Sequence, residues 1–157
     1  MRSPLRLSIF VSLFAVAALT FAATAFADAP QFHSVTSSVN SDGALVVSFD
    51  ERGLGNDTVD YTLTADAKAV YQCINKGNHH PQAENKETVN STVSDNGSFE
   101  PKNGRVISSL SAGPPGAGDF SCPSGQRLTF VSVEYTNIVL TDTTNDVVAN
   151  PPDVSGP

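Results

Sequence analysis

Histidines are the residues of this chain best suited to metal chemistry, and there are three of them. His79 and His80 are adjacent in a polar segment that also contains Glu84, whereas His33 lies far from them in sequence. Imidazole nitrogens and carboxylate oxygens are ligands that transition metals accept. Neighbouring side chains usually diverge, however, and no second pair of ligands is spaced to complete a site. His79 and His80 are therefore weak metal candidates, and we expect neither a bound metal nor a cofactor.

Carboxylates offer a second kind of chemistry, because Asp50, Glu51, Asp57 and Asp60 fall close together in sequence. A pair of carboxyl groups can cleave a glycosidic bond. The grooves of such enzymes are commonly walled with aromatic side chains, and this chain has no tryptophan. No Gly-x-Ser-x-Gly motif of serine hydrolases is present either. A small hydrolase with a carboxylate pair is therefore the alternative, and we expect a non-enzymatic protein instead.

The segment 112–126 is the most unusual loop of the chain. It contains three prolines and four glycines, and it places Phe120 two residues before Cys122. A stiff loop can present an aromatic side chain to a partner at little entropic cost, although such a loop more often simply spans the end of a sandwich. Pro114, Pro115 and Phe120 are therefore candidate partner-binding residues.

Short apolar and polar alternations, separated by turn residues, dominate the chain after residue 27. In segment 44–50, for example, Leu45, Val47 and Phe49 occupy one face of a predicted strand. The same reasoning predicts strands at 32–39, 44–50, 59–65, 69–73, 88–93, 105–110, 127–142 and 147–149.

Two features refine this pattern. Turn residues such as Asn96–Gly97 and Asn103–Gly104 separate the predicted strands. In the longest strand the inward face switches near Thr136–Asn137, which predicts a bulge or a bend. The spacing favours an all-β fold, an immunoglobulin-like antiparallel β-sandwich of about seven to eight strands. A small barrel is the alternative, and the missing tryptophan distinguishes the chain from antibody domains.

The amino-terminal segment has the three parts of a secretory signal peptide. Arg2 and Arg6 precede an uncharged apolar run from Leu7 to Ala23, and the stretch closes on Ala25-Phe26-Ala27. We expect a signal peptide at 1–27, a sandwich domain at 28–150 and a flexible C-terminal tail at 151–157. The tail is polar and proline-rich, so it offers no hydrophobic anchor signal. Secretion into the extracellular medium is the predicted fate.

Charge narrows the range of partners. Removing the predicted signal peptide takes away two basic residues and no acidic one, so the net charge changes from −7 to −9. Such a chain repels phosphate backbones and anionic lipids, so nucleic acid and membranes are not expected as partners. An extracellular protein or a cell-surface partner is expected instead.

Cys73 and Cys122 are the only cysteines in the chain. In an oxidising compartment an even count favours a disulfide between them. The chain also contains three glycosylation sequons, at Asn56, Asn90 and Asn96. The abundance of asparagine, serine and threonine makes such triplets common by chance, so whether they carry glycans stays open.

Three stretches carry a family resemblance: Gly43-Ala44-Leu45-Val46-Val47-Ser48-Phe49-Asp50-Glu51, Tyr61-Thr62-Leu63-Thr64-Ala65-Asp66 and Val139-Leu140-Thr141-Asp142-Thr143-Thr144-Asn145. The chain resembles a family of small secreted hypothetical proteins of actinomycetes, with filamentous fungi as a further source. The resemblance covers most of the chain after residue 27, both cysteines included. It implies a shared fold, and no activity or functional residue carries over. We expect a secreted binding protein, with a host-directed effector as its narrower form.

Overall fold

The computed structural model describes residues 29–75 and 85–157, and its regular structure is eight β-strands in two antiparallel sheets. The small sheet has the order β1-β2-β5, and the large sheet has the order β4-β3-β6-β7, with β8 also paired to β6. The predicted all-β sandwich is confirmed at this level. The strands are β1 (Gln31–Val39), β2 (Leu45–Arg52), β3 (Val59–Asn75), β4 (Lys86–Phe99), β5 (Arg105–Ala112), β6 (Gln126–Asp142), β7 (Val147–Ala149) and β8 (Val154–Gly156).

The core lies between the two sheets and follows from the alternation in the sequence. Leu45, Val47 and Phe49 of β2 are buried, as their pattern predicted. Across the core, the rings of Phe49 and Tyr61 lie 4.7 Å apart between centroids, in a tilted arrangement. Phe32 and Phe99 add two further rings to this cluster, with centroids 6.0 Å from that of Phe49. Such aromatic clusters contribute strongly to the stability of a core.

β3 and β4 are longer than predicted. Segments 59–65 and 69–73 form one continuous strand, because Ala67 is buried and Asp66 and Lys68 are exposed, so the alternation continues between the two segments. β4 runs straight through Asn96–Gly97, where a turn was predicted. A Cβ atom at Gly97 would lie 2.8 Å from Cδ2 of Leu110, so this glycine makes room for β5 and forms no turn.

The predicted bulge in β6 is confirmed. Asn137 has a φ of 51°, and the inward-facing positions switch from Tyr135 to Ile138. The C-terminal segment differs from the predicted flexible tail. β8 pairs with residues 133–135 of β6, and Pro151 is buried. β7 pairs only with residues 140–142 of β6. β8 therefore supplies backbone hydrogen bonds to a part of the same edge that β7 leaves open.

The large sheet extends beyond the small sheet, and the loop 113–125 covers the excess. The hydroxyl of Tyr71 donates to the carbonyl of Pro115 at 2.6 Å. Cys73 is bonded to Cys122, which confirms the predicted disulfide. Phe120 packs against the core from the same loop. We call this loop the cover loop, because it shields the inner face of β3 where no strand of the small sheet reaches.

Candidate interaction surface

The outer face of the small sheet carries the most distinctive arrangement of side chains. Side chains two residues apart on a strand share a face, so Asp50 and Arg52 of β2 both point outward. The antiparallel register places Arg105 directly opposite Arg52, and Ile107 opposite Asp50. β5 is held beside β2 at this end by the turn that precedes it. There Gly104 has a φ of +71°, and a Cβ atom would lie 2.9 Å from the carbonyl oxygen of Leu54.

Asp50 binds two guanidinium groups at once. Nε and Nη2 of Arg105 each donate to one of its carboxylate oxygens at 2.7 Å, a bidentate contact. Nη2 of Arg52 donates to Oδ2 at 2.9 Å. The hydrogen bonds from Arg105, followed by those from Arg52, hold the pKa of Asp50 far below its usual range. The carboxylate is therefore an anchor that fixes the orientation of both arginines.

Both arginine side chains nevertheless remain accessible. The side chains of Arg52 and Arg105 are 44% and 43% exposed, whereas that of Asp50 is only 10% exposed. The guanidinium groups thus cover the carboxylate and present their own outer edges to solvent. Such an arrangement has already lost much of the rotamer freedom that an arginine gives up on binding.

Ile107 stands beside this ion cluster and is 67% exposed. It separates two shallow depressions, of about 360 Å³ and about 480 Å³, and both are lined in part by Arg105 and Ile107. Lys102 and Glu100 line the first depression. Hydroxyl side chains line the second, namely those of Ser34, Thr36, Ser48, Ser108 and Ser109. We call Asp50, Arg52, Lys102, Arg105 and Ile107 together the Ile107 patch.

The outer face of the large sheet is different in character. One of its depressions, of about 500 Å³, is lined mainly by side chains that bear carboxylate, ammonium, amide and hydroxyl groups. Several of these groups satisfy each other: Asp66 accepts from the hydroxyl of Thr92 and from the amide of Asn137. Nζ of Lys68 lies 3.9 Å from Oε2 of Glu134, which makes a loose ion pair. An exposed apolar side chain, Val148, lies on β7, at one border of this sheet. Around this depression the face is therefore polar.

The inner face of β2 carries a second carboxyl group in an opposite environment. Glu51 and Asp142 are both 0% exposed, and Tyr61 is 1% exposed. Asp142 accepts from the amides of Thr144 and Asn145 at 2.8 and 2.9 Å, and from Nδ2 of Asn145 at 2.7 Å. The carboxyl oxygens of Glu51 face the hydroxyl of Tyr61 and the carboxyl of Asp142, and no well-formed hydrogen bond joins Glu51 to either group.

Burial in this environment raises the pKa of Glu51 to about 7, and the neighbouring carboxylate of Asp142 adds to the effect. The same burial raises the pKa of Tyr61. A carboxyl group with a raised pKa is frequent among catalytic acids. Here, however, both carboxyl groups are sealed inside the core, where no substrate reaches them.

The four carboxylates singled out in the sequence do not form one cluster. Asp50 and Glu51 face opposite sides of the small sheet, and Asp57 lies in an exposed loop. Asp60 accepts a hydrogen bond from the hydroxyl of Ser98 on β4. The carboxylate that does lie beside Glu51 is Asp142, ninety-one positions further along the chain.

The remaining candidate residues have separate locations. Pro114, Pro115 and Phe120 are half-buried in the cover loop. His79 and His80 lie outside the described residues, as does the predicted signal peptide. In residues 29–75 and 85–157, no three histidine, cysteine or acidic side chains cluster as metal ligands do. Within those same ranges no helix has the length and apolarity needed to cross a membrane.

Comparison with known proteins adds no relative. No protein-family model, no curated protein and no solved structure matches this chain.

Proposed function

We propose that this chain is a secreted, non-enzymatic binding protein that contacts an acidic protein partner through the Ile107 patch. The observation that carries the proposal is the position of Ile107, which is two-thirds exposed beside guanidinium groups held in place by Asp50. The proposal deepens the expectation of an extracellular interaction protein by assigning it a surface.

An exposed apolar side chain next to oriented arginines has the composition of a binding hot spot. Binding energy at protein interfaces concentrates in a few anchors, among which arginine is enriched. Ile107 offers the apolar anchor, and Arg105 offers N–H donors on a side chain that Asp50 already orients. The surrounding serine and threonine hydroxyls supply the polar rim that such interfaces have.

Charge identifies the kind of partner. Three cationic side chains, Arg52, Lys102 and Arg105, meet two carboxylates at this patch, those of Asp50 and Glu100. The patch is thus locally positive on a chain whose overall charge is strongly negative. A complementary partner presents carboxylates to the guanidinium edges and an apolar pocket to Ile107.

Pro114, Pro115 and Phe120, predicted as a partner-binding loop, are a second proposed contact. Phe120 packs on the core, and the carbonyl of Pro115 accepts from Tyr71. The side chain of Phe120 and the backbone of Pro115 therefore already have intramolecular partners, and we place the main contact at the Ile107 patch instead.

Several narrower proposals accompany this one. The signal-like segment 1–27 and the disulfide both support secretion. Two packed antiparallel sheets support an immunoglobulin-like sandwich. We also propose membership in the family of small secreted actinomycete proteins and, within it, a host-directed effector role at a cell surface.

The alternative function is a small secreted hydrolase that uses a carboxylate pair. Its best pair is Glu51 and Asp142, which adjoin each other and include a carboxyl with a raised pKa. Because both are fully buried, the binding function has more support.

The decisive experiment captures extracellular and cell-surface proteins on immobilised protein and then titrates each captured candidate. Ile107→Thr should weaken the true partner's binding about tenfold or more, as hot-spot truncations do. Arg105→Gln should weaken it further and reduce its salt dependence. Val148→Thr is the matched control, since Val148 is 55% exposed on the other sheet.

Three results would contradict the proposal. A partner that binds the wild type and both patch variants equally would remove the contact from this surface. A partner lost only with Phe120→Ser would move the contact to the cover loop. Hydrolysis of a glycan or ester substrate that is abolished by Glu51→Gln would favour the alternative function.

A further inference from the structure

We propose that Glu51, Tyr61 and Asp142 form a proton-dependent joint between the two sheets, closed when Glu51 carries a proton and loosened when it loses that proton. The joint is independent of the binding partner, because it depends only on groups buried within the sandwich. It predicts that the described fold is held more firmly in mildly acidic than in neutral or alkaline medium.

The geometry places the joint across the core. Glu51 is contributed by β2 of the small sheet, whereas Tyr61 and Asp142 are contributed by β3 and β6 of the large sheet. Tyr61 also packs against Phe49, two residues from Glu51, at a ring distance of 4.7 Å. Any group that enters or leaves this site must therefore separate or rearrange the two sheets locally.

The groups that face Glu51 include no cation among the described residues. Its cross-strand neighbours in the small sheet are Phe32 on β1 and Val106 on β5, neither of which titrates. The large sheet contributes Tyr61 and the carboxylate of Asp142. The adjacent Arg52, and Arg105 opposite it on β5, lie on the other face of the sheet and bind Asp50. An ionised Glu51 thus lacks a counter-ion and faces a second acid.

Protonation of Glu51 removes the unpaired charge and its repulsion with Asp142. A carboxylate only accepts hydrogen bonds, whereas a carboxylic acid also donates one. Both oxygens of Asp142 already accept N–H groups of the turn at residues 143–145, which suits Asp142 to the role of acceptor. Glu51 is then the member that donates its O–H across the core. Loss of that proton leaves a buried, uncompensated charge, which proteins relieve by opening the site to water.

The direction of the pH effect follows from burial. The pKa of Glu51 in the fold is about 7, against an ordinary value of 4.5. The folded chain therefore holds this proton more tightly than the unfolded chain does. The stabilisation is fully present below about pH 4.5 and is lost as the pH rises through about 7. Across that window the unfolding equilibrium constant should rise by up to about 300-fold from this group alone.

The test is a series of urea unfolding curves between pH 4 and 9 on protein produced from the full chain, with and without Glu51→Gln. Wild type should lose stability between about pH 4.5 and 7 and then level off. Glu51→Gln should lack that loss, because glutamine cannot ionise. Glu134→Gln is the matched control, since the side chain of Glu134 is 56% exposed, and it should keep the wild-type pH dependence.

A second measurement needs no variant and so survives a failure of Glu51→Gln to fold. Carbon-13 titration of the glutamate carboxyls in wild-type protein should show one group titrating near pH 7. Finding every glutamate titrating near its ordinary value would overturn the proposal. Glu51→Gln with the full wild-type pH dependence would overturn it equally, and so would a stability loss that a metal chelator reproduces at acidic pH.

Discussion

Asp50 and Glu51 are neighbours in sequence and differ by one methylene group, yet the fold treats them in opposite ways. Asp50 lies on the outer face of β2 under two guanidinium groups, which lower its pKa. Glu51 lies on the inner face, fully buried and without a cation, and its pKa is raised. The strand repeat of two residues produces this difference. Which partner each carboxyl meets is decided by the strands that pair with or face β2.

This contrast shows that the chemistry of a β-protein depends on cross-strand register. A shift of β2 by one residue would exchange the two faces, burying Asp50 and exposing Glu51. Arg105 would then lose its bidentate contact with Asp50. The outer cluster therefore disfavours the shifted register, in addition to the apolar alternation of Leu45, Val47 and Phe49.

The largest effect on the free energy of unfolding is expected at the disulfide, away from both carboxyl groups. Replacing Cys73 and Cys122 together by serine should lower the free energy of unfolding by roughly 4 kcal/mol in the chain-entropy model, given the 49-residue separation. Urea unfolding of the double variant against wild type measures it. A thiol count on denatured, unreduced protein is the control. Two reactive thiols in the wild type would contradict the bond.

On the inner face, Glu51→Gln should change stability by an amount that depends on pH. At pH 8 the variant should be more stable than the wild type by up to about 3 kcal/mol, because the cost of the buried charge is removed. At pH 4 Glu51 is protonated, so the buried charge should make no difference between the stabilities of the two proteins. Thermal or urea unfolding at the two pH values measures the difference. An equal difference in stability at the two pH values would mean that folding does not change the pKa of Glu51.

On the outer face, Asp50→Asn should produce a smaller loss of stability with the opposite pH dependence. The lowered pKa of Asp50 means that its contribution is present above about pH 4 and is lost as the medium becomes more acidic. The loss is small because solvent and salt screen the exposed guanidinium groups. Unfolding at pH 7 and pH 3 measures it, with Asp57→Asn in the exposed loop as the control. A loss that grows toward alkaline pH would contradict the assignment.

The smallest effect on stability is expected for Ile107→Thr. Ile107 is already mostly in water, so its replacement by another β-branched residue should change the free energy of unfolding by no more than about 0.5 kcal/mol. The same change should weaken partner binding strongly, which separates the surface role from the structural one. Val148→Thr should match it in stability and leave binding unchanged. A large loss of stability would show that Ile107 supports the fold itself.

Local sequence patterns predicted the parts of this molecule that depend on local rules. The inward face of β2, the bulge at Asn137 and the bond between Cys73 and Cys122 were all predicted correctly. The same rules failed at Gly97, where the glycine serves the neighbouring strand instead of a turn. They also missed β8, because a three-residue strand exists only through the edge that it covers.

The two polar clusters could be predicted only in part. The spacing of Asp50 and Arg52 places them on one face, and that signal was present in the sequence. Their contact with Arg105 depends on the register between β2 and β5, which no local pattern contains. The proximity of Glu51 to Asp142 depends on how the two sheets pack, and local sequence patterns contain even less information about that packing. Chemistry assembled from distant strands therefore needs the fold before it can be seen.

The position of the disulfide also allows the crosslink to form early during synthesis, since a chain emerges from its N-terminus. Cys73 and Cys122 flank β4 and β5, one strand of each sheet, and both cysteines precede β6. The crosslink can therefore close on a nascent chain whose β6 has not yet been made. In that order of events β6 would be the last long strand to join, and it would pair with β3 beside the finished bond, at Leu128. An oxidase acting at that stage would meet a sheet in which one edge of β3 is still unpaired.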